Sequence, residues 1–188
     1  MHHLVSTKTA LQQAINHMER LYRGRNPAGT LSLAGFPHAE LAFRTALSSA
    51  VVRQRPTCVL SETFPPDQAA FYMLCAQGRV SVADVAARRL EQADFTRLNG
   101  AAAKISSAPL YFATFEPFDI EQIAWELLPL TKAHDLQVLV CEKRTDEDLE
   151  SWRSELNFLA RMSGLDVHLL AGRLAAVNRL TPDFGQMA

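Results

Sequence analysis

The sequence predicts an α/β protein with a mostly parallel central sheet and helices on both of its faces. Three observations carry this. Short apolar or β-branched runs at 31–34, 57–60, 110–113, 136–141 and 166–170 alternate with longer segments whose apolar residues recur at helical spacing. The runs are continuous rather than alternating, as in strands covered on both faces. Strands and helices that take turns at this spacing imply right-handed βαβ crossovers.

Each element follows from its residues. From 6 to 23, Leu11, Ala14, Ile15, Met18, Leu21 and Tyr22 mark an amphipathic helix with Ser6 or Thr7 as N-cap. Gly24 ends it, and Arg25-Asn26-Pro27-Ala28-Gly29 is a turn-rich connector. This helix either folds back on its own domain or docks on a neighbouring subunit, and it is the element best suited to exchange. The chain thus divides into an N-terminal helix and linker, 1–26, and one α/β domain, 27–188.

Residues 31–34 are the first strand, and Pro37 opens a helix to about residue 55 that is apolar on both sides. The strand at 57–60 ends in Ser61-Glu62-Thr63. A helix then runs from Pro65-Pro66 to about residue 77 and is closed by Gly78. Ser81 starts a short helix ending at Arg88-Arg89, and 92–105 forms another, with Gly100 as its weak point. After the strand at 110–113, Asp119 caps a helix that buries Ile120, Ile123, Ala124, Leu127 and Leu128, with Pro129 as a bend. The run at 136–141 is the strongest strand pattern and reads as central, stopping at Glu142-Lys143-Arg144. An amphipathic helix over 146–163 buries Trp152, Leu156 and Leu159 and ends at Gly164. The strand at 166–170 follows, and the pattern beyond 171 specifies no element.

Composition narrows the function. With 188 residues, 48% of them hydrophobic, the chain can bury one core. A net charge of −1 provides no global basic field for nucleic acid or anionic lipid. Three widely spaced cysteines in apolar runs, Cys58, Cys75 and Cys141, read as buried free thiols rather than a disulfide framework or a metal site. No stretch reaches the roughly 18 uninterrupted apolar residues of a membrane helix, and Met1-His2-His3 begins no signal pattern, so the expectation is a cytoplasmic protein without membrane contact.

One stretch stands where such a fold would do phosphate chemistry. Leu31-Ser32-Leu33-Ala34 runs into Gly35-Phe36-Pro37-His38 and then a helix, the placement of a phosphate-cradling loop. The chemistry is missing. A working loop needs a Lys for the β and γ oxygens and a Ser or Thr for magnesium. Glu40, Leu41 and Ala42 occupy the positions of Gly, Lys and Thr, and a carboxylate at a helix N-terminus repels the anion.

These strings resemble the C-terminal RecA-fold motor domain of the DnaB-type replicative helicases, over roughly residues 28–173. Ala34-Gly35-Phe36-Pro37 is similar to that family's Ala-Gly-Arg-Pro. Leu60-Ser61-Glu62-Thr63 resembles its Ser-Leu-Glu-Met strand end, and Ser107-Ala108-Pro109-Leu110-Tyr111 its Leu-Pro-Leu-Tyr-Ile strand entry. The resemblance implies a RecA-like P-loop fold, makes Glu62 the counterpart of the water-activating acid and puts Glu142 in place of the magnesium-linked Asp. Without the Lys and Thr, phosphoryl transfer loses its charge stabilisation.

Each candidate has a plainer reading. Glu62 and Glu142 are vestigial catalytic acids or ordinary acids at strand ends. His38 and His168 have no metal-site spacing, and no metal or cofactor is expected. Arg88, Arg89, Lys143 and Arg144 are solvated basic pairs or a local DNA contact. Phenylalanines and tryptophans fit core stripes except Phe36, Phe64, Phe115 and Phe118, which sit at loops after strands or at helix entries and would fill a lost nucleotide pocket or a protein-binding surface. The expectation is a pseudo-ATPase that self-associates or docks on replication or recombination proteins. An atypical nucleotide-binding ATPase and a single-stranded DNA binder are the alternatives.

Overall fold

The computed structural model describes residues 3–22, 37–114, 119–145, 147–172 and 178–180. The strands in chain order are β1 (His3–Ser6), β2 (Thr57–Ser61), β3 (Leu110–Thr114), β4 (Val138–Lys143), β5 (Asp166–Ala171) and β6 (Asn178–Leu180). They form one sheet in the order β1-β3-β2-β4-β5-β6. The four inner strands are parallel, while β1 runs antiparallel to β3 and β6 antiparallel to β5. The expected mostly parallel α/β architecture is present. The two edge strands, of four and three residues, are too short to leave a periodic signal. The expected strand at 31–34 lies outside the described residues, as do Gly35, Phe36, Phe115 and Phe118.

The helices are α1 (Thr7–Tyr22), α2 (Pro37–Leu47), α3 (Pro66–Gly78), α4 (Val82–Ala86), α5 (Gln92–Ser106), α6 (Ile120–Ala133) and α7 (Leu149–Ser163). Strand parity sorts the core. Val59, Leu110, Phe112, Val138, Val140 and Leu170 meet α1, α2, α3 and α5 on one face. Cys58, Leu60, Ala113, Leu139, Cys141 and Leu169 meet α6 and α7 on the other. Of the two arrangements open to the N-terminal helix, the structure has the intramolecular one: Ala10, Leu11 and Ala14 of α1 are buried against its own domain. Ser6 caps α1, its Oγ accepting from Thr9 N–H at 3.3 Å, and the Thr7 hydroxyl donates to the Leu110 carbonyl.

Several local expectations are corrected. The helix read as running to about residue 55 widens into a π-helical turn at Ser48–Val52, closed by Arg53 N–H on the Ser48 carbonyl. Gly78 does not close α3. Arg79 takes the left-handed position at φ 54, and Gly78 is the last residue of the helix, where a Cβ would lie 3.3 Å from Leu98 on α5. Strand β4 runs on through Glu142 and Lys143, both buried, where the apolar pattern stops at Cys141. Phe64 is a core residue, in edge-to-face contact with Phe43 at 5.7 Å and Tyr72 at 5.3 Å, contacts worth about 0.5–1.5 kcal/mol each beyond burial. Trp125 and Phe158, by contrast, are exposed.

Two glycines separate backbone effects from packing, since a Cβ at Gly100 or Gly164 meets no packed neighbour within 4 Å. Gly100 lies inside α5, so Gly100→Ala should stabilise by about 0.5–1 kcal/mol. Gly164 ends α7 at φ 73, so Gly164→Ala should cost about 1–2 kcal/mol. Urea unfolding of the two variants should move the midpoint in opposite directions.

Candidate functional site

In an open α/β sheet, polar groups that can meet a ligand gather at the carboxyl ends of the strands. Here β2 and β4 are neighbours, with Ser61 opposite Glu142. Parity then splits the residues that follow. Ser61 and Glu142 belong to the face of Val59 and Val140, under α2, whereas Glu62 and Lys143 turn to the face of Leu60 and Cys141, under α7.

On the α2 face, Glu142 is fully buried and its carboxylate takes four hydrogen-bond partners. Oε2 accepts from Ser61 Oγ at 2.6 Å and from Thr63 N–H at 3.0 Å. Oε1 accepts from Thr63 Oγ1 at 2.7 Å and lies 2.9 Å from His38 Nε2. These four contacts fill the roughly four hydrogen-bonding positions of a carboxylate, so it is saturated. Ser61 Oγ in turn accepts from Phe64 N–H at 2.9 Å. That tight turn carries Thr63 over Glu142 and sets Phe64 into the aromatic cluster.

On the opposite face, Glu62 accepts from Arg144 N–H at 2.9 Å and lies 3.7 Å from Lys143 Nζ. Lys143 is itself buried, with Nζ 5.4 Å from the centre of the Trp152 ring. The two acids that the sequence analysis paired are therefore on opposite sides of the sheet. They do not converge on one water or one metal.

The loop residues divide likewise. His38, read from sequence as part of the degenerate phosphate loop, is buried against Glu142. Glu40 is exposed and pairs with Arg44 one turn along α2 at 2.9 Å, a contact of about 0.3–0.5 kcal/mol. Leu41 is half-buried and Ala42 fully buried, so this side of α2 packs on the core. The signal for His38 lay in its position at the start of a helix that meets the end of β4, and nothing in its spacing marked Glu142 as partner.

The four basic candidates are not one patch. Arg88 and Arg89 follow α4, on the α1 side of the sheet, and Arg89 is bonded to Asp84. Lys143 is on the α7 side and Arg144 is exposed beside it. His168 Nε2 lies 3.4 Å from Asp166 Oδ1. Among the described residues no group of three His, Cys, Asp or Glu side chains is arranged to hold a metal, and no helix is long and apolar enough to cross a membrane.

The thiols are core atoms. Burial pushes Cys58 and Cys75 up to about 12 and raises Cys141 well above the ordinary value. In the native protein none of the three should react with a thiol reagent at pH 8, and all should react once denaturant unfolds the chain. A raised thiol pKa stabilises the fold at and below neutral pH. Stability should therefore fall as pH rises past the ordinary value of 9.0.

Glu142→Leu removes every acceptor and leaves the Thr63 N–H and the Ser61, Thr63 and His38 side chains against an apolar group. Urea denaturation should show a loss of about 2–5 kcal/mol. Glu40→Gln should stay within about 0.5 kcal/mol of the parent. No protein-family profile matches the chain, and no curated protein matches it significantly.

Proposed function

We propose that this chain is a RecA-like domain of the DnaB helicase-motor type that does not hydrolyse nucleotide and acts in the cytoplasm by binding, as an assembly protein in DNA replication or recombination. The likeness to that motor rests on the strings around Gly35-Phe36-Pro37, Ser61-Glu62 and Pro109-Leu110-Tyr111. The observation that most supports the non-catalytic reading is the saturation of Glu142. All its acceptor positions are taken by His38, Ser61 and Thr63, so it has none left for a metal or its waters. Glu62 faces away from it, bonded to Arg144 N–H beside Lys143. The helix that would grip phosphate presents Leu41 and Ala42 to the interior.

Thermal unfolding with millimolar ATP and magnesium tests this. A ligand at 100 times its dissociation constant adds about 2.7 kcal/mol, and at this chain length each kcal/mol moves the midpoint by about 2–4 °C. The midpoint should not move. A shift of several degrees, or ATP turnover that Glu62→Gln abolishes, overturns the proposal.

A further inference from the structure

Helices α6 and α7 carry an apolar surface that the domain's own core does not use. Among the described residues four large hydrophobic side chains are exposed: Val52, Trp125, Phe158 and Met162. Val52 stands alone, which is ordinary for a protein surface. The other three are together. Trp125 of α6 and Phe158 of α7 touch, with ring centroids 5.8 Å apart and planes at 53°, and Met162 lies one turn beyond Phe158. Trp125 is 64% exposed, while Ile123, Ala124 and Leu127 fill the core side of the same helix. Two aromatic rings held against each other in solvent mark a contact surface.

The charges around the rings indicate what covers them. Both helices connect parallel strands on the same face, so they run in the same direction. Their amino ends carry exposed Asp119, Glu121, Glu147, Asp148 and Glu150. Their carboxyl ends carry exposed Lys132 and Arg161, with Asp135 in the turn beyond α6. These signs suit each helix's own dipole, but the dipole gives no reason for an exposed Trp–Phe pair between them. Acidic end, aromatic centre and basic end make a strip that complements itself. A second copy turned by 180° about an axis through the rings sets aromatic on aromatic and each acidic end on the other copy's basic end.

We infer that the partner on this face is a second copy of the chain, in an isologous dimer with the α6–α7 strips antiparallel and Trp125 and Phe158 at the axis. The inference rests on the binding reading above and names its partner. Sedimentation velocity on the full chain tests it with two charge variants, Lys132→Glu/Arg161→Glu and Glu121→Lys/Glu147→Lys/Glu150→Lys, the second of which turns the net charge of the acidic end positive. These side chains are exposed, and circular dichroism checks that each variant stays folded. The parent should sediment as a dimer, each variant alone as a monomer, and an equimolar mixture of the two as a dimer again, because only the mixed pair restores opposite charge at both ends. Trp125→Ala should also be monomeric. A parent that is monomeric at every concentration overturns the inference, and so does a dimer that neither charge variant disturbs. It is overturned too if a monomeric parent gains quencher access to Trp125 when residues 181–188 are removed, since the chain's own end would then be the cover. Failure here is distinct from failure of the non-catalytic reading, which only stabilisation or turnover with ATP and magnesium would overturn.

Discussion

The carboxylate of Glu142 ties together pieces of chain that the sheet alone would leave independent. Its partners lie 79, 81 and 104 residues away in sequence, on Thr63, Ser61 and His38. Burying a carboxylate costs several kcal/mol unless donors surround it, so the end of β4, the turn after β2 and the start of α2 must all be in place together. Phe43, Phe64 and Tyr72 pack together beside that turn and anchor it to the core. The ends of β2 and β4 are joined here by a polar cluster under a helix.

The reverse face of the sheet repeats the device with opposite charge. Lys143 follows Glu142 in the strand, so the pleat delivers it to the other side, where Glu62 and the Trp152 ring receive it. Consecutive charged residues at the end of an inner strand are thus each accommodated within their own layer. The same alternation separates Glu62 from Glu142 and removes any shared site between them.

The helical layers differ in what they expose. The basic pairs are split between the two faces and partly bonded within the domain, whereas the α6–α7 layer gathers three of the four exposed large apolar side chains among the described residues. Trp125 and Phe158 are the residues whose placement departs most from helical-stripe reasoning. On an amphipathic helix a stripe position and its neighbour differ by about 100° of rotation, and only the packed layer decides which large ring turns inward.

What residue patterns determined by themselves was local and periodic. The apolar runs specified β2 to β5, the capping residues Ser6, Ser81 and Asp119 marked helix starts, and Gly164 marked a helix end, because these depend on contacts within a few residues. Tertiary structure decided the rest. The short edge strands exist only as partners of β3 and β5. Gly78 packs against α5, and the left-handed cap falls on Arg79. The extension of β4 through Glu142 and Lys143, and the role of His38, were illegible for one physical reason: a buried charge is stable only with donors or counter-charges brought from remote parts of the chain, and no local pattern records which ones will arrive.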